Sequence, residues 1–391
     1  MFKLKQDIIL FLLFLCLLSC SSNPKSPIDP KKNIFITKPE ITFNIKNLPK
    51  QINVFYLNSG IDPDSTSSLL QGITDNYYYY KEKIGYAPEL NFIDFSDNAY
   101  CMENMTLLKE SFSIGLLFNE DYSLLDNNCY QRLLKLRGLL VTKNKIMGIK
   151  DQKLREFHIS REVDITNLLD IAKNNGSMRA IIIDDSTTRD KALIEKIWNN
   201  MDGEVVSSVS SERKISSQKL LAEILLLEQS KVRSRKLSRI IGVQIKNEPR
   251  KREDIDSIFL STSLPNARSL KPALEYNFAD NISVYLIPSW REEGNLSDNE
   301  LDLEKVVVSE MPFLLNTNTS FQETNSRNKS RNFAIGYDAY ELVLLLDTSS
   351  RRDFNYFGLT GLITNKYPSI QKKSLHAKVI NGKLEYQDYG D

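Results

Sequence analysis

Short apolar runs of strand length alternate along the chain with longer stretches of helical periodicity. The plainest example is residues 256–289, where 258–260 and 284–287 have the branched and aromatic composition of strands. Four apolar residues between these runs recur at three- and four-residue steps and therefore share one helical face, namely Ala267, Leu270, Leu274 and Phe278. Strand, helix and strand of these lengths predict a βαβ unit, and hence a parallel sheet covered by helices.

The predicted helix of this unit has a recognisable N-cap and two prolines. Ser263 is its expected N-cap, and Pro265 falls in the first turn, where a missing N–H costs little. Pro272 lies in the interior, so we expect a kink or a split into two helices there.

The same rhythm recurs in both halves of the chain. Six further apolar runs predict strands, at 52–57, 90–95, 114–118, 138–141, 179–184 and 204–209. Helical faces lie between several of these runs, including one formed by Leu69, Ile73, Tyr77 and Tyr80. The repeated pattern predicts an α/β fold with two doubly wound lobes, which begin near residues 51 and 160.

The C-terminal part of the chain is less regular. Residues 290–331 have poor periodicity and many polar residues, so they are predicted to be long connections with apolar islands at 306–308 and 311–315. Three elements are predicted after them, in order an amphipathic helix at 333–346, a turn into a strand at 358–363 and a terminal hairpin completed by 383–386.

The N-terminal residues are predicted to be a targeting segment that precedes the fold. Lys3 and Lys5 are followed by an apolar run at 8–18, which is shorter than the ~20 residues that a membrane span needs. The run ends in Leu-Leu-Ser-Cys, which resembles a bacterial lipobox. Residues 1–19 are therefore read as a lipoprotein signal peptide, Cys20 as the lipidated residue, and 20–50 as a Pro-rich tether. The alternative is an ordinary cleaved signal with an incidental cysteine.

Composition narrows the classes of function. The chain of 391 residues carries 51 basic and 50 acidic residues, so no overall charge favours nucleic acid as a partner. Four cysteines and two histidines are too few for most metal sites, and neither a metal nor a cofactor is expected. Cys101 and Cys129 are a possible disulfide in an exported protein, and two buried free thiols are the alternative.

Two local clusters allow a functional and a structural interpretation. Residues 231–252 contain nine basic residues. They could form a site for lipid head groups or an acidic partner, but a solvated surface balanced by Glu228, Glu248, Glu253 and Asp254 is favoured. The four tyrosines at 77–80 could stack sugars or bases, but a helix points them in different directions, which favours core plus surface aromatics.

Polar residues after predicted strands are candidates for a binding crevice, because the crevice of a doubly wound sheet lies at the carboxyl ends of its strands. They are Ser59, Asn144, Asp185, Ser186, Thr187 and Ser261, and ordinary turn chemistry is the simpler reading of each. An enzyme is the weakest hypothesis. His158 and His376 stand alone in the sequence, Asp184 and Asp185 are adjacent and point apart, and there is no GxSxG, HExxH or phosphate loop.

Several short motifs, in this order, resemble the C-terminal domain of the LppC/LpoA lipoprotein family. They are Glu-Pro-Arg-Lys-Arg at 248–252, Asp-Ser-Ile-Phe-Leu at 256–260, Ala-Arg-Ser-Leu-Lys-Pro at 267–272, Val-Tyr at 284–285, Met-Pro-Phe-Leu-Leu at 311–315, Gly-Tyr-Asp-Ala-Tyr at 336–340 and Gly-Leu-Thr-Gly at 358–361. The resemblance is clearest over 160–391 and thin over 51–150.

The resemblance implies a periplasmic-binding-protein-like type I fold with lobes that are discontinuous in sequence. Lobe 1 is then expected at about 51–160 plus a segment near 325–357, and lobe 2 at about 161–320 plus the C-terminal hairpin. Long family members carry an N-terminal helical-repeat domain, whereas here only the tether separates Cys20 from the first strand.

The resemblance also implies a function. It is that of a non-catalytic lipoprotein that binds and activates a class A penicillin-binding protein, a peptidoglycan synthase. Residue 21 is Ser, which by resemblance to bacterial lipoproteins favours the outer membrane, with the protein facing the periplasm. The alternative is a lipid-anchored solute-binding protein that holds a small ligand between its lobes.

Overall fold

The computed structural model describes residues 48–57, 63–94, 112–117, 133–135, 137–143, 153–185, 190–211, 215–244, 248–287, 299–315, 330–349, 353–366 and 369–387. All of them belong to one compact unit, Ile36–Asp391. No helix in this part of the chain is long and apolar enough to span a lipid bilayer.

Strands and helices alternate through most of the described chain. In order they are β1 (Gln51–Tyr56), α1 (Pro63–Ile84), β2 (Glu89–Asp94), β3 (Phe112–Leu117), β4 (Arg137–Thr142), β5 (Leu154–His158), α2 (Arg161–Asn174), β6 (Arg179–Asp184), α3 (Lys191–Asn200), β7 (Glu204–Ser210), α4 (Ser217–Ile224), α5 (Leu227–Ile241), β8 (Ser257–Ser261), α6 (Leu264–Tyr276), β9 (Ser283–Leu286), β10 (Val307–Glu310), α7 (Arg331–Ser349), β11 (Phe354–Phe357), β12 (Leu362–Lys366), β13 (Ser369–Lys373), β14 (Leu375–Ile380) and β15 (Lys383–Tyr386). Single 3-10 turns flank β10, at Leu301–Leu303 and Pro312–Leu314.

Two sheets organise these elements. The first has the order β11-β12-β13-β5-β4-β3-β1-β2, and the second has the order β15-β14-β10-β9-β8-β6-β7. Neighbouring strands are parallel except for four antiparallel pairs, which are β11–β12 and β12–β13 in the first sheet and β10–β14 and β14–β15 in the second. The parallel parts share one winding, 2-1-3-4-5 in the first sheet and 7-6-8-9-10 in the second, which confirms the predicted α/β fold with two doubly wound lobes.

Burial on both faces explains why the central strands are continuous apolar runs. All six residues of β3 and all five of β8 are buried. The first sheet packs against α1 and α7 in one hydrophobic cluster. The second sheet separates two clusters. One of them contains Trp198, Phe259 and Tyr285, whose rings meet edge to face in the first pair and at a tilt in the second.

The chain passes between the two sheets three times within the described residues. It leaves the first sheet after β5, returns between β10 and α7, and leaves again between β13 and β14. The returning part of the first lobe therefore runs to Lys373, beyond the segment near 325–357 expected from the sequence. Residues 375–387 then join the second sheet as a hairpin whose turn, Asn381-Gly382, has the positive φ angles of a type I′ turn.

Several local predictions were wrong. Residues 307–310, read as part of a long connection, form β10, and β5, β11 and β13 were not predicted. Phe278 is not on the inner face of α6, because the helix ends at Tyr276 and the Phe278 ring is exposed. Of the two outcomes expected at Pro272, a kink or a split, the split does not occur, because the helix continues through Pro272. Burial of the flanking Leu270 and Leu274 offsets the lost backbone hydrogen bond.

Candidate functional site

Two of the predicted crevice residues lie together at the switch point of the second sheet. Asp185 follows β6 and Ser261 ends β8, and the Asp185 backbone N–H donates to the Ser261 carbonyl at 3.1 Å. The other predicted site residues lie outside the described residues. These are Ser59, Asn144, Ser186, Thr187, the lipidation candidate Cys20, and the possible disulfide partners Cys101 and Cys129.

The carboxylate of Asp185 is directed at the N-terminus of α6. It is buried and accepts a hydrogen bond from the backbone N–H of Ser263 at 2.7 Å and another from the Asn266 amide at 2.9 Å. Ser263 occupies the N-cap position as predicted, but its side chain makes no capping hydrogen bond. Because a helix N-terminus favours negative charge, Asp185 fills the position that an anionic ligand would otherwise take at this helix.

A second carboxylate, Asp190, lies beside the same strand ends. It forms an ion pair with Arg161, the first residue of α2, and accepts a long hydrogen bond of 3.5 Å from the Ser261 hydroxyl. Burial raises the pKa of Asp190, and the Arg161 charge opposes that shift. The acidic groups at this switch point are therefore engaged by the protein itself.

Buried ion pairs lie at two of the three crossings. Lys372 of β13 donates to both carboxylate oxygens of Asp164 in α2, at 3.0 and 2.9 Å, and Ser374 donates to one of them at 2.8 Å. At the return crossing, Arg331 of α7 pairs with Glu310 of β10, whose carboxylate also accepts from the Met311 backbone N–H at 2.8 Å. Each pair joins an element of the first lobe to one of the second.

The helix α7 carries two buried carboxylates that bind elements packed around it. Asp338 accepts hydrogen bonds from the backbone N–H groups of Leu359 and Thr360 and from the Thr360 hydroxyl, at 2.6 to 2.9 Å. Burial raises the pKa of Asp338 to about 7, and these donors oppose the shift. Glu341 accepts from Tyr80 of α1 and Tyr356 of β11, each at 2.7 Å.

The motifs at 336–340 and 358–361 are therefore one structural unit. Gly358 leaves room for the Asp338 carboxylate, because a Cβ at that position would lie 2.5 Å from it. Gly336 lets α7 approach α1, since its Cβ would lie 2.0 Å from the Leu69 carbonyl oxygen, and Gly72 faces Phe333 in the same way at 2.1 Å. Each motif is recognisable in the sequence, but the contact between the two is not.

The two histidines lie in strands. His158 belongs to β5, with Nε2 3.2 Å from the Lys143 carbonyl oxygen, and His376 belongs to β14. Burial, together with Lys373, lowers the pKa of His376 to about 4, while Asp164 opposes the shift. Among the described residues, no group of three or more His, Cys, Asp or Glu side chains could hold a metal ion.

The tyrosine run does not form a stacking platform, in agreement with the sequence interpretation. The Tyr80 ring is buried and the Tyr78 ring is about half exposed. The ring pairs Tyr77–Tyr78 and Tyr79–Tyr80 meet edge to face. The run therefore serves the contact between α1 and α7 and the adjacent surface.

The basic stretch is only partly balanced by acids. Lys231 pairs with Glu228, and Arg252 pairs with Asp254. Within the described part of the chain, no ion pair within 4 Å involves the remaining basic residues of α5, which are Arg233, Arg235, Lys236 and Arg239. The helix is solvated, as in the favoured interpretation, but direct ion pairs balance only Lys231 and Arg252 of this stretch among the described residues.

Known proteins share both the sequence pattern and the fold. The family described as "LppC putative lipoprotein" matches residues 158–373. The penicillin-binding protein activator LpoA of Photobacterium profundum is 26% identical over 156 residues, which are 37% of this chain and 25% of the relative. The chain thus corresponds to about a quarter of the length of that curated relative.

Solved structures support the same fold. The C-terminal domain of LpoA (YraM) from Haemophilus influenzae, a regulator of PBP1A, has a TM-score of 0.56 at 12% identity, covering 86% of this chain and 100% of that one. A "putative branched-chain amino acid ABC transporter" from Rhodospirillum rubrum has a TM-score of 0.63 at 11% identity, and the match covers 86% of this chain and 99% of that one. The family match extends over more than half of the 391 residues, from the first crossing through the second lobe to β13. The chain therefore belongs to the LppC family.

Proposed function

We propose that this chain is a non-catalytic protein that binds a class A penicillin-binding protein and activates its peptidoglycan synthesis. The observation that carries the proposal is the family match over 158–373, together with relatives that are named penicillin-binding protein activators. The matched segment contains the first two crossings, α7, and the second lobe except for its C-terminal hairpin. These elements determine the shape of the described molecule, and a regulator without catalytic activity acts through the shape of its surface.

The geometry of the second lobe favours an activator over a solute-binding protein. A solute held at the switch point of a doubly wound sheet commonly uses a helix N-terminus for its anionic group. At the N-terminus of α6 that place is taken by the buried carboxylate of Asp185. A carboxylate ligand would have to displace it, and would meet its negative charge.

Lipid attachment at Cys20 is part of the proposal, with the protein held at the outer membrane and facing the periplasm. The lipobox-like sequence and the description of the family as lipoproteins support it. Mass spectrometry of the N-terminal peptide from cell membranes should show a diacylglyceryl-modified Cys20. A Cys20→Ser variant should be released from the membrane fraction by 0.5 M salt, whereas the parent should stay, and equal retention of the unmodified variant after that wash would contradict the assignment.

Activation requires that this protein bind the active state of the synthase more tightly than the inactive state. A bound regulator shifts an equilibrium only by its difference in affinity for the two states. A tenfold higher rate therefore needs about 1.4 kcal/mol of differential binding, which a small interface supplies easily.

The test combines binding with rate. Residues 36–391, which contain every described element, are titrated against the class A penicillin-binding proteins of the same cell, and glycan polymerisation and peptide cross-linking are measured. A periplasmic solute-binding protein of the same fold is the control, because it shares the architecture without the family sequence. We expect saturable binding and faster synthesis with this chain alone.

Two results would redirect the assignment. Equal stimulation by the control protein would show that the assay responds to any protein of this shape. Absence of binding and stimulation, combined with a thermal shift in a solute screen, would favour the solute-binding alternative. A ligand at a hundred times its Kd adds about 2.7 kcal/mol of apparent stability, so such a screen would detect it.

A further inference from the structure

Helix α5 is the least covered helix of the second lobe. Only Leu227 and Ser230, in its first turn, are buried. Five large aliphatic side chains on α5 and just after it are exposed, namely Val232, Leu237, Ile240, Ile241 and Val243. Ile240 is 80% exposed and Ile241 is 60% exposed, values unusual for isoleucine in a folded protein. Several large aliphatic side chains exposed close together on one element indicate a contact with a protein or a membrane.

Aliphatic and basic side chains are interleaved on the outer face of α5. Val232, Lys236 and Ile240 are four residues apart and form one row along the helix. A second basic row, Arg235 and Arg239, lies beside it by the same spacing. The apolar tips therefore stand between positive charges instead of forming one continuous apolar stripe.

The outer face carries net positive charge. Glu228, the acidic residue of α5, lies in the first turn and is paired with Lys231. Arg233, Arg235, Lys236 and Arg239 have no ion-pair partner within 4 Å among the described residues. This charge disfavours a second copy of α5 as the occupant, because two basic faces would repel each other, and it favours an anionic surface.

We propose that the outer face of α5 binds the surface of a membrane that contains anionic phospholipid. Protein interfaces concentrate aromatic side chains in a dry centre and deplete lysine, whereas this face contains lysine and no aromatic residue. Helices that lie in a membrane interface bury Leu and Ile at the acyl boundary while Lys and Arg reach the phosphates. The pattern of α5 matches the membrane case. The proposal does not depend on activation of a synthase.

A vesicle-binding assay tests this site without any other protein. Residues 36–391 are suitable because both sheets and the three hydrophobic clusters of the described residues lie within this compact unit, and the proposed lipid on Cys20 is absent. Sedimentation with vesicles of phosphatidylglycerol and phosphatidylcholine is compared with pure phosphatidylcholine. We expect binding to the anionic vesicles alone, and a marked decrease in 0.5 M salt, where charges are screened beyond ~4 Å.

A charge variant and a matched control locate the site. Arg235→Gln/Lys236→Gln/Arg239→Gln should lower the partition coefficient roughly 100-fold, because each basic group near an anionic surface contributes about fivefold. Lys81→Gln/Lys83→Gln/Lys196→Gln removes the same charge from exposed positions on α1 and α3 and should leave binding nearly unchanged.

An aliphatic variant tests insertion into the lipid. Leu237→Ser/Ile240→Ser/Ile241→Ser should weaken binding at least about tenfold without changing net charge, since each buried methylene contributes about fourfold. Far-UV circular dichroism and the Tm check that both α5 variants remain folded, as expected for a helix that is mostly exposed.

Three outcomes would overturn the proposal. The first is absence of binding of the parent chain to anionic vesicles, and the second is equal binding to neutral vesicles. The third is unchanged vesicle binding by the folded α5 variants. If those variants instead lost synthase stimulation, α5 would be a protein contact and the proposed activation would still stand.

Discussion

Removal of one partner from the buried ion pair at the last crossing should cause one of the largest single losses of stability in the described chain. The Lys372 side chain is 1% exposed and that of Asp164 is 6% exposed. Lys372→Met removes the cation but keeps a long apolar side chain, so little packing is lost. It leaves the Asp164 carboxylate buried with Ser374 as its remaining side-chain donor in this cluster, at 2.8 Å. We expect the free energy of unfolding to fall by about 3–5 kcal/mol.

A double variant separates the charge effect from the packing effect. Asp164→Leu in the Lys372→Met background removes the stranded carboxylate, and two apolar side chains then meet where the ions met. Replacement of a whole buried pair by apolar residues is often neutral or stabilising, so most of the loss should be recovered. The coupling energy of the cycle should exceed about 2 kcal/mol.

Urea unfolding of residues 36–391, followed by circular dichroism, measures these differences. Lys373→Met is the matched control, because this neighbouring lysine is exposed and its loss should change stability by less than about 0.5 kcal/mol. A Lys372→Met protein within 1 kcal/mol of the parent would show that the carboxylate is not stranded, and the reasoning from burial would fail. A double variant no more stable than Lys372→Met would refute the charge explanation separately.

Three further perturbations follow from other buried contacts. Gly336→Ala should destabilise the protein by about 3 kcal/mol or more, because its Cβ would lie 2.0 Å from a backbone oxygen of α1. The control Gly176→Ala meets no atom within 4 Å and is strained only by its φ of +87°, so it should cost about 1 kcal/mol. Urea unfolding measures both variants, and equal losses would refute the contact at Gly336. Asp185→Ala should cost about 1–2 kcal/mol through loss of the α6 cap, measured in urea, and a neutral result would mean that the cap contributes nothing. Burial raises the pKa of Asp338 to about 7, so the folded state holds this proton more tightly than the unfolded state does. The stability that the proton contributes is fully present below the ordinary aspartate pKa near 3.9 and is lost as pH rises through 7. The loss amounts to at most about 4 kcal/mol. Asp338→Asn should remove this decrease of stability with pH between pH 4.5 and 7.5. Comparison of variant and parent at each pH cancels the opposite contribution of His376. An unchanged pH dependence would show that Asp338 is ionised in the fold.

The elements predicted best are those whose apolar pattern is long or uninterrupted. The Ala-Ile-Ile-Ile run of β6 and the face of α6 through Leu270 and Leu274 are examples, because burial alone decides their structure. The strand β5 was missed because its sequence, Leu-Arg-Glu-Phe-His, carries charged residues that are nonetheless buried. A buried Glu156 is tolerated there because Thr142 of β4 donates to its carboxylate at 2.8 Å.

The candidate site, too, could be predicted only in part from the sequence. Its position could be predicted, because strand ends of a doubly wound sheet lie at the crevice and Asp185 follows a strand. Its chemistry could not, because the groups that engage the carboxylate, Ser263 and Asn266, are 78 and 81 residues further along the chain. The contact of Asp338 with Thr360 has the same character, since the pattern within either motif carries no information about its partner.

The buried pairs at the crossings bear on how such a fold can be used. A solute-binding protein that closes on its ligand must change the chain conformation where its lobes are joined. Here Lys372 and Asp164, and likewise Arg331 and Glu310, hold elements of opposite lobes together in buried contacts. A movement that separated either pair would strand a buried charge, so these contacts oppose closure. A protein that acts by presenting a fixed surface gains from the same contacts, because a preordered surface loses less conformational entropy on binding. The pairs that would hinder a solute-binding protein would therefore assist the proposed activator.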